Sequence, residues 1–103
     1  MRNISVMGKK SFTIGFRLAG VMNIVWTDGM DERSITSRLD EMCSSPETGM
    51  VIIEGSEFER LAERDRERFE SLAMPVVIPF SESFRNETLR RKISQTIGID
   101  LLG

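Results

Sequence analysis

Apolar residues along this chain switch between two rhythms, runs of strand type and spacings of three and four, so the pattern predicts strands alternating with helices. Ile4 to Met7 is the first strand, closed by Gly8. Ser11 can cap a short helix with Phe12, Phe16 and Ala19 at i, i+4 and i+7, and Gly20 supplies its left-handed stop. Gly15 falls inside that helix, where it costs about 1 kcal/mol against Ala, and reads as allowing another backbone to approach, from the sheet or from a partner. Val21 to Trp26 is the second strand, and Thr27-Asp28-Gly29 a turn. Asp31 or Ser34 opens a helix carrying Ile35, Leu39, Met42 and Cys43, which Ser44-Ser45-Pro46 ends. Met50 to Ile53 is apolar at every position, as suits a central parallel strand covered on both faces.

A third helix is expected from about Glu57 to Leu72, with Phe58, Leu61, Ala62, Phe69 and Leu72 on one side. Its remaining positions mix Arg and Glu, and pairs such as Glu57 with Arg60, Glu63 with Arg66 and Arg66 with Glu70 read as a solvated face. Pro75 to Pro79 is the fourth strand, put at a sheet edge by prolines that cannot donate to a ladder. Beyond Ser81-Glu82-Ser83 and Phe84, Asn86 can cap a last helix in which Leu89, Ile93 and Ile97 form a narrow stripe beside Arg90, Arg91 and Lys92. Such a stripe suits docking, either back on the sheet or onto another chain. The tail Ile99-Asp100-Leu101-Leu102-Gly103 adds further apolar side chains.

The fold class expected is therefore α/β: a four-stranded parallel sheet flanked by helices, a receiver-like, Rossmann-like three-layer domain over residues 1–80. Residues 81–103 form a hinge and C-terminal helix that docks or extends. At 103 residues one domain buries roughly 60 to 70 per cent of its chain's surface, a core that needs no staples. One Cys and no His argue against a disulfide or a metal site, and remove the commonest acid–base catalyst. A net charge of −2 gives no field for nucleic acid or an anionic membrane. No apolar run approaches the roughly 20 residues of a membrane span, and the chain reads as soluble and intracellular. Trp26 and most of the seven Met residues read as core, although Met22, Met30, Met50 and Met74 near strand ends also suit a partner surface.

Candidate chemistry is sparse. Gly8-Lys9-Lys10-Ser11 imitates the end of a phosphate-binding loop but lacks that loop's earlier Gly, so the cradle of amides cannot form. Glu54 ends the third strand, where response-regulator receivers hold their phosphorylated Asp. The first loop carries Lys9 and Lys10 in place of a receiver's Mg²⁺-binding acids. Glu54 is then a helix N-terminal charge or a surface contact rather than a catalytic acid. No nucleophile is paired with a base, and no cofactor is expected.

Together these residues resemble the F subunit, the small central-stalk component of the archaeal and vacuolar-type (A/V-type) rotary ATPases. The likeness rests on the strand ending in Gly8, on Gly15-Phe16-Arg17-Leu18-Ala19-Gly20-Val21, on Val51-Ile52-Ile53-Glu54, on Pro75-Val76-Val77-Ile78-Pro79, and on the basic helix from Leu89 to Leu102. Lys9 departs from the family, which commonly has an acid just after the first strand's Gly. The resemblance implies a non-catalytic rotor subunit of an ATP synthase or ATPase, coupling ATP chemistry in the head to proton or sodium ion transport. It implies as partners the coiled-coil D subunit of the central stalk, the catalytic-head subunits and the adaptor subunit of the membrane ring. It implies no nucleic acid, no direct membrane insertion, and a cytoplasmic place in a peripheral membrane complex. Leu89, Ile93 and Ile97 are the expected seam, Phe80 and Phe84 its anchors, and Arg90, Arg91 and Lys92 its charge contacts. The competing reading is a degenerate receiver-like regulatory module that binds protein without phosphorylation.

Overall fold

A computed structural model describes residues 2–81. The chain runs β1 (Asn3–Gly8), α1 (Lys10–Leu18), β2 (Asn23–Trp26), α2 (Glu32–Ser44), β3 (Thr48–Glu54), α3 (Gly55–Phe58), α4 (Glu63–Glu70) and β4 (Val76–Phe80). All strand pairs are parallel, and the sheet order is β2-β1-β3-β4. β3 is central and buried from Thr48 to Ile53, as its unbroken apolar run requires, and β4 takes the edge as its prolines require.

The period of two along the strands sorts their side chains into two cores. Met7, Val51, Ile53 and Val77 pack with Ile35 and Leu39 of α2 and with Phe58, Leu61 and Phe69. Val6, Met50, Ile52 and Ile78 face the other way, against Phe12 and Phe16 of α1 and Phe80. Register keeps each set in line: Val6 pairs with Ile52 and Ile52 with Ile78, while Met7 pairs with Ile53 and Val51 with Val77. This is the three-layer α/β arrangement the pattern predicts.

Several local expectations change. Asp31 caps α2 as expected, accepting from the Ser34 amide at 2.8 Å. Ser11 does not cap α1, whose N-cap is Lys9 with no side-chain cap of its own. The third residue α1 buries is Thr13, not Ala19, because the helix ends at Leu18 and Ala19 is already its exposed C-cap. Gly20 does stop it, at φ +105°. Gly15 has nothing within 4 Å of where a Cβ would stand, so sheet packing does not account for it.

The expected third helix is two. Past Phe58 the bonds tighten, with Arg60 N–H to Glu57 O and Leu61 N–H to Phe58 O, and Ala62 turns extended at ψ 146°. Arg66 donates to the Glu59 and Leu61 carbonyls at 3.0 and 2.7 Å, satisfying groups that the break leaves open, instead of pairing with Glu63 or Glu70. Phe58, Leu61 and Phe69 reach the core through either geometry, so spacing alone could not register the break. Ala62, inside on the continuous pattern, is exposed. Glu57 is not on a solvated face: it is 2% exposed and its charge is met by Arg60 at 3.3 Å.

Candidate functional site

Parallel α/β sheets place ligands beyond the carboxyl ends of their strands, so the chemistry of this chain is decided where β1, β2 and β3 release it. There α1 begins, and its first amides point at the crevice. The Lys9 amide donates to Glu54 Oε1 at 2.8 Å and the Lys10 amide to Asp28 Oδ2 at 3.0 Å. The carboxylates come from the exits of β3 and β2, so these two donors, which an incoming phosphate would use, are held by acids of the chain itself. Glu54 therefore serves a helix N-terminus, but that of α1; it makes no side-chain cap on α3, which it precedes. Gly8 is needed for packing: a Cβ there would stand 2.6 Å from Phe12 Cδ2 and 3.0 Å from Glu54 Cβ. Among the described residues no group of three or more His, Cys, Asp and Glu is placed to hold a metal ion. What remains is a lattice of charge-assisted hydrogen bonds that locks three loops together.

Beside this corner lies an aromatic cluster. Phe80, the last residue of β4, meets the Phe16 ring edge-on at 6.2 Å between centroids and the Phe12 ring at 5.9 Å. Ser11, Phe12, Glu54, Gly55, Ser56 and Ser81 line the cleft next to it. Phe80 is thus set against α1, on the face opposite α2 and α4. The other expected interface residues, Phe84, Leu89, Arg90, Arg91, Lys92, Ile93 and Ile97, lie outside the described residues, as does the hinge beyond Ser81.

A third region was read from the sequence only in part, at Gly15 and Met22, both already offered as suiting a partner. Ile14 and Leu18 are 60% and 83% exposed on α1, with Met22 at 89% in the loop that follows and Trp26 at 46% on the edge strand β2. The Lys10 ammonium stands 4.8 Å from the centroid of the Trp26 ring, which ties this side of α1 to β2. Trp26 is therefore not core, whereas Met50, offered above as a partner-surface residue, is fully buried. The signal was legible: Ile14 and Leu18 are one turn apart and away from Phe12 and Phe16, so α1 is apolar on more than one side.

Comparison with known proteins is consistent throughout. The family model described as ATP synthase (F/14-kDa) subunit matches residues 4–97. The A-type ATP synthase F subunit of Methanothrix thermoacetophila is 28% identical over 98 residues, 95% of this chain and 96% of that protein. Its counterpart in Halorubrum lacusprofundi is 32% identical over 104 residues, covering 98% and 94%. The crystal structure of the V-type ATP synthase F subunit of Archaeoglobus fulgidus aligns with a TM-score of 0.65 at 22% identity, over 78% of this chain and 98% of that one, and shares the fold.

Proposed function

The chain belongs to the family of the ATP synthase (F/14-kDa) subunit, and from that premise we propose that it is the non-catalytic central-stalk component of an A/V-type rotary ATP synthase or ATPase. Its work is mechanical: it stabilises the rotor and couples ATP synthesis or hydrolysis in the head to proton or sodium ion transport. The observation that carries the non-catalytic part is the corner where such a fold places its chemistry, with the first α1 amides held by Glu54 and Asp28. No described helix is long and apolar enough to cross a membrane, which fits a peripheral, cytoplasmic place in a membrane-bound complex.

In this reading residues 1–80 are a rigid platform and residues 81–103 a hinge and helix. Leu89, Ile93 and Ile97 form a seam to the coiled-coil stalk subunit, anchored by Phe80 and Phe84, with Arg90, Arg91 and Lys92 facing acids of the stalk or head. The head subunits and the membrane-ring adaptor complete the set of partners. A helix with two positions, folded on the platform or extended along the stalk, regulates coupling only where partners bind the positions unequally.

The test is co-purification with the coiled-coil stalk subunit of the same organism, with affinity measured for the full chain and for Leu89→Ala/Ile93→Ala. Each truncation in a packed seam costs about 2 to 5 kcal/mol, so the double variant is expected to lose binding by orders of magnitude with its fold intact. Tight binding that the double variant keeps moves the interface elsewhere on the chain. No binding by the full chain hands it to the receiver-like regulatory module.

A further inference from the structure

A surface helix of a globular domain turns its apolar stripe inward and puts charge outward. α1 breaks this rule. Phe12, Thr13 and Phe16 face the sheet, but the opposite arc carries Ile14 and Leu18, both well exposed, flanked by the small residues Ser11, Gly15 and Ala19. Met22, in the loop that follows, is 89% exposed. Gly15 has an ordinary helical backbone and open space where its Cβ would stand, so nothing in the described domain explains a residue that weakens the helix. A missing Cβ on an outward arc has a use when another backbone must come close, since the distance between packed helices is set by the side chains at the crossing.

Charge decides the occupant. From Lys9 to Thr27 the chain holds Lys9, Lys10 and Arg17 and no acid. The first acid beyond, Asp28, is engaged by the Lys10 amide. A second copy docking by two-fold symmetry would bring together two α1 surfaces whose charges are all basic, with no acid between Lys9 and Thr27 to meet them. The chain's own C-terminal stripe has Arg90, Arg91 and Lys92 beside it and is no better matched. We propose that the outer arc of α1, Ile14, Gly15 and Leu18 with Met22, is a docking surface for an apolar α-helix of another protein whose flanks carry carboxylates. The partner helix crosses at Gly15, covers Ile14 and Leu18, and sets its acids against Lys10 and Arg17. This interface is separate from the seam assigned to residues 89–97 and rests on the stalk reading only in placing the partner within the same assembly.

Amide exchange of the full chain, alone and assembled with the other subunits of its own ATP synthase, tests the proposal beside three variants. Amides 13–20 are expected to exchange at least tenfold more slowly in the assembly than in the free chain. Leu18→Glu and Gly15→Leu, both at open positions, are expected to weaken retention at least tenfold with the free chain's Tm no lower. Raised salt is expected to weaken retention further. Unchanged α1 exchange with both variants retained overturns the proposal. So does α1 already protected in the free chain as strongly as β3, or a free-chain dimer that Leu18→Glu dissolves. If Leu89→Ala/Ile93→Ala alone expels the chain, the stalk reading stands and the α1 surface falls. A wild-type chain that never enters the assembly removes both.

Discussion

Gly8 and Gly15 answer to opposite constraints. A methyl group at Gly8 would press on Phe12 and Glu54, so Gly8→Ala is expected to cost about 1 to 3 kcal/mol in urea unfolding, the range for an overfilled site. At Gly15 the same methyl meets open space. Gly15→Ala is expected to stabilise the isolated chain by about 0.5 to 1 kcal/mol, seen as a Tm raised by a few degrees. The one cysteine is held inert by its surroundings. Burial, and then the charge of Asp40, push the Cys43 thiol up to about 11. Cys43 is expected to resist alkylation at neutral pH and to react quickly once urea unfolds the chain, since the thiolate is the nucleophile. Asp31 sets an acid limb. Its carboxyl is held below the ordinary 3.8, first by the backbone hydrogen bond from Ser34. The capping contribution is therefore whole above that ordinary value and lost as pH falls through the lower folded one. Asp31→Asn keeps an acceptor that does not titrate, so unfolding midpoints of the two proteins are expected to differ in their slope with pH only on this acid limb.

At the scale of elements, the break between α3 and α4 is the departure with the clearest consequence. Ala62 stands at the N-cap of α4 in an extended conformation with no side chain to offer the helix amides. Ala62→Ser is expected to raise stability by about 0.5 to 1 kcal/mol, a gain that a single helix through residues 57–72 would not give. α4 is also fastened to α2, where Arg68 reaches Asp40 at 2.7 and 3.3 Å while lying over the Phe69 ring at 4.4 Å. Both charged side chains are 47% exposed, so water screens the pair and its contribution falls in the range of about 0.2 to 1 kcal/mol. The element boundaries set by local chemistry, Asp31 opening α2 and Gly20 closing α1, were legible in the sequence. The capping of α1 was not, because Glu54 and Asp28 reach it from loops distant along the chain.

At the scale of the whole molecule, the two faces of the sheet are unequally built. α2 and α4 enclose one core around Phe69 and Leu39, while among the described elements only α1 covers the other, where Phe12, Phe16 and Phe80 stay partly open. Phe69→Ala is expected to cost about 3 to 5 kcal/mol, a large share of the roughly 5 to 15 that hold a small domain. Phe16→Ala should cost measurably less in the same urea titration, because its ring already meets solvent.

Strand identity, the centrality of β3, the edge position of β4 and the α/β class were determined by the sequence itself, since the period of a run, its continuity and its prolines act locally on the backbone. Its likeness to the F subunits of ATP synthases was legible in the same way, from Gly15 to Val21 and from the strands that follow. Tertiary structure alone decided that the first α1 amides are held by Glu54 and Asp28 and that Glu57, whose pairing with Arg60 the spacing predicts, is buried. Each depends on which loops and faces meet in space, and such meetings are set by sheet order and packing, on which residue spacing along one element has no bearing.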